Sequence, residues 1–368
     1  MQISISRDAF ISGLASVQGV VETRKTLPIL SHLLLEAEQE RISLFGTDLD
    51  VGISTWLEAE VSGSGAVAIS ARKLYEIVRE LPEAPVELTV DEDLSVTIRC
   101  LRSEFRMKGL SKEDFPSLPR AAREGGFILK RQILKDMMRK TIFAASTDQT
   151  RYTLNGVLFQ LLPNEVKMVA TDGHRLSLVT RGREEIEGEG TLEALIPRKA
   201  VTEALKMLKD GEGAVHIQFL DNQLLLRLEN SLLTCRLIEG QFPNYQQVIP
   251  KGGTRTLVVS REAFQGALKR TSAIVGDRPI PTTFELKPGK ILLHCVNVDL
   301  GEAREELEAE YTGEAMSIGF NTRYILEFLS VVEEDEIQVQ LNDALSPALF
   351  RPVGDGGFRC VIMPMRIS

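Results

Sequence analysis

Cysteine is scarce in this chain: four in 368 residues, at Cys100, Cys235, Cys295 and Cys360, none in a CxxC pair. Such spacing excludes a zinc ribbon or a paired redox motif and leaves buried thiols on strands as the expectation. Histidine is equally sparse; His32, His174, His216 and His294 form no HxH or HExxH arrangement, which speaks against a metal centre. Long apolar runs are missing as well. No stretch reaches the ~18 uninterrupted apolar residues of a membrane span. The opening MQISISRDAF lacks the basic n-region and apolar h-region of a secretory signal, so a cytoplasmic protein with no membrane partner is expected. Nor is there a Walker A loop, a GxSxG elbow or a GxGxxG turn after a strand; Gly188-Glu189-Gly190 is a turn in an acidic run.

What is present is ordinary in bulk and regular in detail. Hydrophobic residues make up 43% and charged residues 26%, the balance of a globular protein with several cores. The length alone implies two to four domains, by roughly 100 to 200 residues each. Three segments then share one order of landmarks. Each opens with a short alternating strand and an amphipathic helix, and Phe10, Leu134 and Phe264 hold equivalent places 124 and 130 positions apart. Each continues into a strand pair ending in a polar couplet: Thr47-Asp48, Thr171-Asp172 and Val296-Asn297. A second helix follows, with Lys73, Lys199 and Tyr324 spaced by 126 and 125. Phe115-Pro116 and Phe242-Pro243 close the first two segments.

Between the helices lie short alternating strands such as VELTV, SVTIRC, AVHIQFL, QLLLRLE and EIQVQL, parted by Asp91-Glu92-Asp93 and Asp221-Asn222 turns. The expected fold is α+β: three similar domains, each with two helices packed on antiparallel sheet. Pro, Gly and charge cluster at 120–127 and 250–256, which sets the expected domains at 1–124, 125–252 and 253–368. A period near 125 is too long for a solenoid repeat.

Net charge is −9, from 43 basic and 52 acidic residues, which argues against nucleic acid over the whole surface unless the charge is segregated. The six predicted helices (6–25, 70–81, 130–146, 197–209, 260–275 and 321–332) nevertheless sum to +11, leaving −20 elsewhere. Lys and Arg are good helix formers and often only decorate solvated faces. Acidic residues form helices equally well, however, and in the middle segment Lys130, Arg131, Lys135, Arg139 and Lys140 oppose only Asp136. A shared basic helix face suits a phosphate backbone, read without sequence preference and sensitive to salt. Six helices ~9 Å apart and ~10 Å thick would close around a hole of only ~7 Å, whereas twelve leave roughly 25 Å, enough for a duplex about 20 Å wide. One chain cannot encircle DNA; a head-to-tail pair could.

The landmarks resemble the bacterial replicative sliding clamps, the beta subunits of DNA polymerase III. The resemblance runs through Thr26-Leu27-Pro28-Ile29-Leu30, Gly46-Thr47-Asp48-Leu49, Phe115-Pro116, Arg151-Tyr152 with Leu154-Asn155-Gly156, Ala170-Thr171-Asp172-Gly173-His174-Arg175-Leu176, Phe242-Pro243-Asn244-Tyr245 and Met363-Pro364-Met365-Arg366. It implies a ring-shaped homodimer of six similar domains that tethers polymerase to DNA. Such a ring is loaded by an ATP-dependent clamp loader and has neither catalysis nor a cofactor of its own.

The resemblance further implies a pocket for short linear peptides of polymerase III, the loader, other polymerases and repair proteins. Its walls would be Leu154, Thr171, Gly173, His174, Arg175, Leu176, Pro243, Val248, Val361, Met363, Pro364, Met365 and Arg366. Flexible methionines suit a groove that accepts several peptides, although on their own Met363 and Met365 read as core filling. Gln247, where relatives commonly carry a basic residue, and Ile367-Ser368, in place of a terminal Leu, bear on which peptide is preferred. For DNA the resemblance points to Arg24, Arg72, Lys73, Gln149, Arg151, Tyr152, Arg198, Lys199 and Lys206, with Thr153 where relatives carry a second Tyr. For the dimer it points to Phe105 and Met107 on an edge strand, meeting Ile274 and Val275.

Two rival readings remain on the sequence. Asp172-Gly173-His174-Arg175 has the residue types of a catalytic or metal loop. Asp172 however corresponds to Asp48 and Asn297 in the other segments, which favours a shared turn-capping role. The second rival is an interaction scaffold that never encircles DNA.

Overall fold

The computed structural model describes residues 1–368 except 22–26, 117–125, 210, 276–279 and 368. Arg24, Thr26, Ser368 and most of the 120–127 boundary therefore lie outside the described residues. Every strand pairing among the described residues is antiparallel, and six helices stand among the strands: α1 Arg7–Gln18, α2 Ala71–Glu80, α3 Arg131–Ile142, α4 Arg198–Met207, α5 Arg261–Ser272 and α6 Thr322–Leu329.

The helix starts follow from local chemistry. Ser6 and Ser260 sit before α1 and α5, and their hydroxyls accept from the N–H groups of Ala9 and Ala263, satisfying donors that the first turn leaves open. Asn321 does the same for α6 through Arg323 N–H. Phe10, Leu134 and Phe264 are each the fourth residue of their helix and are fully buried, which is why they recur as landmarks. The helices are shorter than the patterning implies. Over the helices as described, which leave out Lys130 and Lys209, the summed charge is +8 rather than +11.

The chain forms two compact units: 1–132 with 186–189 and 199–237, and 133–185 with 190–198 and 238–368. The first holds a five-stranded sheet in the order Glu60–Gly63, Gln2–Ile5, Val86–Val90, Ser95–Cys100, Ser103–Lys108. Its nine-stranded sheet is joined where Ser231–Arg236 pairs with Val51–Glu58, Leu233 opposite Ile53. The second unit repeats this plan. A nine-stranded sheet is joined where Phe358–Ile362 pairs with Arg175–Gly182, Cys360 opposite Ser177. A four-stranded sheet runs Gly301–Glu308, Lys290–Asn297, Pro281–Lys287, Met316–Asn321.

The strands expected from alternation are present: Val86–Val90, Ser95–Cys100, Ala214–Leu220, Gln223–Leu228 and Glu336–Leu341. All four cysteines are free, buried and on strands. Burial pushes the thiols of Cys235 and Cys360 up to about 12, so they are inert as nucleophiles in the folded chain.

In the second unit a cluster of four charges ties α3 to the joint. Lys140 Nζ lies 3.1 Å from Asp136 and 3.2 Å from Asp355, and Arg181 Nη2 lies 2.8 Å from Asp136 and 3.1 Å from Asp355. Burial raises the Asp355 carboxyl, but Arg181, the Gly357 N–H and Lys140 outweigh it and hold it below the usual carboxylate range.

Candidate functional site

The polar couplets form one kind of turn three times. Asp48 Oδ1 accepts from the N–H of Asp50 and Val51, Asp172 Oδ1 from His174 and Arg175, and Asn297 Oδ1 from Asp299 and Leu300. Thr47 and Thr171 add a second brace: each hydroxyl donates to the carbonyl four residues on and accepts an N–H two residues on. Asp172 is a turn cap, which removes the ground for reading 172–175 as a catalytic loop. Gly173, at φ +90, supplies the left-handed backbone this tight link requires.

In the second unit the turn forms one wall of a cavity of about 150 Å³. Ten of the thirteen expected wall residues line it together: Leu154, Thr171, Gly173, His174, Arg175, Leu176, Pro243, Val248, Val361 and Met363. Beneath them lies an apolar floor of Leu158, Val169, Leu178, Leu195, Phe242 and Leu349. Pro364, Met365 and Arg366 do not line the cavity. Met365 instead bridges to Gly319 through an N–H···O bond of 2.8 Å, and Arg366 is exposed. Met363 N–H donates to His174 O at 2.9 Å and so hangs the wall from the turn.

Asn244 and Tyr245 also line the cavity. They stand in the Phe-Pro-Asn-Tyr run, and the signal for Tyr245 was its place three residues beyond buried Phe242, against which its ring packs edge-on. Tyr245 Oη donates to Gln160 Oε1 at 2.7 Å, which fixes the ring. Gln247 is exposed on the short turn Tyr245–Gln247.

Arg175 is the most constrained wall residue. Its guanidinium is buried, pairs with Asp172 at 3.1 Å and with Glu327, donates to Phe143 O, and lies 4.4 Å over the Tyr324 ring and 5.3 Å from that of Phe143. A buried cation held by two carboxylates and two aromatic faces gives the cavity a rigid side.

The expected DNA-facing residues lie in both units, and the charged ones among the described residues are engaged. On α2, Arg72 and Lys73 converge on Glu76 at 2.8 and 2.7 Å, and hydrogen bonds from Lys73 and then Arg72 hold that carboxyl down to about 2. Lys199 pairs with Asp48, and Lys206 with Glu203 at 2.7 Å. In the second unit Arg151 pairs with Asp148 at 3.2 Å and donates to Asp172 O, Gln149 is exposed, and Tyr152 is 60% exposed. Arg198 opens α4, its N–H on Asn155 O. The ion pairs were not legible in charge counts.

Phe105 and Met107 lie on Ser103–Lys108, the free edge of the five-stranded sheet, with Phe105 39% exposed. Ile274 and Val275 are half-buried just beyond α5. Among the described residues no group of three or more His, Cys, Asp or Glu is placed to hold a metal, and no helix is long and apolar enough to cross a membrane.

Three family models match in succession: the N-terminal domain of the DNA polymerase III beta subunit over residues 1–119, the central domain over 128–244 and the C-terminal domain over 246–366. The chain belongs to the DNA polymerase III beta subunit family. It has the family's three-domain clamp fold and acts as a processivity clamp, an accessory subunit without catalysis. Relatives of the same length agree. The beta sliding clamps of Pseudomonas putida and Caulobacter vibrioides are 33% and 34% identical to it, each match covering 100% of both chains. The sliding clamp of Bartonella birtlesii, in a crystal structure bound to griselimycin, superposes with a TM-score of 0.94 at 37% identity over 100% of both chains. That of Bacillus subtilis gives 0.94 at 29% over the same coverage.

Proposed function

We propose that two copies of this chain close head to tail into a ring around duplex DNA, and that the second unit's cavity tethers polymerase and other DNA-processing proteins by short apolar peptide segments. The observation that carries the tether is the convergence of ten residues from four separated stretches of chain on one cavity with an apolar floor and a rigid polar side. Pockets of that make-up anchor one or two side chains of a linear motif. Partners on this reading are the polymerase III catalytic subunit, the clamp loader, other polymerases and repair proteins. The protein works in the cytoplasm, on the nucleoid once loaded. Its domains are 1–124, 125–252 and 253–368.

Ring closure is supported by two unpaired sheet edges of opposite charge. Ser103–Lys108 carries Arg106 and Lys108 against Glu104, whereas Gly301–Glu308 carries Glu302, Glu305, Glu306 and Glu308 against Arg304. Free edges of opposite sign pair readily across a symmetric dimer, with Phe105, Met107, Ile274 and Val275 as the apolar patch. Arg24, Arg72, Lys73, Gln149, Arg151, Tyr152, Arg198, Lys199 and Lys206 would meet the backbone, with Arg72, Lys73, Arg151, Lys199 and Lys206 exchanging carboxylate partners for phosphates without regard to sequence.

The deciding experiment loads the protein on covalently closed and on linear plasmids. A ring is retained on closed circles and lost over free ends, and equal retention on both would sink the topological reading. Deletion of 363–368 tests the tether separately: peptide binding is lost while the dimer persists.

A further inference from the structure

The first unit contains a second cleft, of about 550 Å³, separate from the peptide pocket and sharing only Lys206 with the expected DNA-facing residues. Trp56 lines it, half-buried at the joint, where its backbone N–H donates to Asn230 O at 2.9 Å. Arg131, Lys206 and Lys209 also line it, and Glu229 is the one carboxylate among the lining residues. Along α1 the lining side chains are small: Ser12, Ala15 and Ser16, with Gly13 covered by Leu57.

Arg131 is the informative residue. Its Nε is enclosed and has no hydrogen-bond partner among the described residues. The chain runs past it on glycines, and a Cβ at Gly213 would come within 3.1 Å of Arg131 Nη2. An enclosed guanidinium donor without an acceptor is costly unless something supplies one. Lys209 is exposed, with Ser12 Oγ at 3.5 Å, and Lys206 pairs with Glu203.

We propose that this cleft binds a nucleoside 5′-phosphate group, its base against the Trp56 indole and its phosphate oxygens on Arg131, Lys206 and Lys209. Indole faces stack any base, and arginine offers a planar fork to phosphate oxygens with lysines as mobile counter-charges. The volume admits a single nucleotide but not a duplex. The group can come from a free nucleotide or from the phosphorylated 5′ end of a strand.

Trp56 is the only tryptophan in the chain, so its fluorescence reports this cleft alone. The full-length protein is titrated with ATP, with inorganic triphosphate, with a short oligo-dT carrying or lacking a 5′-phosphate, and with closed circular duplex. The expected result is saturable quenching by ATP, displaced by inorganic triphosphate. Affinity should fall tenfold or more in Arg131→Gln and in Lys209→Glu. Lys209 is exposed, so its variant keeps the fold if Arg131→Gln does not. Tighter binding of the 5′-phosphorylated oligomer than of ATP or the unphosphorylated oligomer names a strand end as the source; the reverse names the free nucleotide. No saturable response at millimolar ligand, affinity unchanged in Lys209→Glu, or equal quenching by closed duplex overturns the proposal.

Discussion

The two joints are built from matching parts and end differently. Leu34, Ala68 and Phe115 in the first unit correspond to Leu158, Leu195 and Phe242 in the second, and each set forms one apolar cluster. Arg236 N–H donates to Asp50 O at 2.9 Å just as Met363 N–H donates to His174 O at 2.9 Å. The departures lie at the centre. Phe45 stands where the second unit has Val169, and its ring meets Phe115 edge-on at 5.6 Å. Gly52 stands where the second unit has Leu176, and a Cβ there would meet Phe45 Cε2 and Thr234 Oγ1 at 3.0 Å. The first joint is filled by one aromatic ring. The second spreads its apolar surface over Leu176, Val361 and Met363 around a smaller valine and leaves a hollow. A cavity here is the consequence of where bulk is placed, since interiors pack to uniform density unless a side chain is withheld.

The comparison breaks most sharply if Val169 is made Phe. The added ring should rise into the cavity and weaken an apolar peptide roughly 100-fold, about 3 kcal/mol, by fluorescence polarisation. Unchanged affinity would show that the floor does not set the pocket. The converse change, Phe45→Val, should cost about 3 kcal/mol in chemical denaturation by leaving a void, without creating peptide affinity, because Gly52 and Thr234 still face it. Asp355→Asn should cost about 2 kcal/mol by leaving Lys140 and Arg181 short of a carboxylate. Asp355 titrates below the usual range when folded, so its contribution is full above the ordinary carboxylate value and lost as pH falls through the folded one. The deficit of the variant should therefore shrink below about pH 4, and a deficit independent of pH would remove the charge argument. The smallest effect is at the caps. Ser6→Ala and Ser260→Ala should each cost about 1 kcal/mol, and a marked difference between them would mean that the shared motif is not used alike.

Much of this was readable before the structure. The repeat was legible because Phe10, Leu134 and Phe264 must each be buried at the same helical position, and because Asp48, Asp172 and Asn297 cap the same turn. The pocket walls were legible only through resemblance to a family. Periodicity marks Val169 and Phe45 alike as buried, and it cannot tell which of two buried positions leaves space above it. Pairing was hidden as well. Lys199 finds Asp48 across 151 positions, a contact that no local pattern announces. The division into two units that share the middle third was also invisible, since strand pairing such as that of Cys235 with Val51 depends on tertiary contact rather than on sequence order.

The four thiols are distributed two to a unit, Cys100 and Cys235 in the first and Cys295 and Cys360 in the second, and one of each pair sits on a joint strand. Each joint therefore contains its own clock. An alkylating reagent reaches Cys235 only when the filled joint opens and Cys360 only when the hollow one does. Mass spectrometry of the labelled peptides then times the two openings separately in a single tube, with no substitution made.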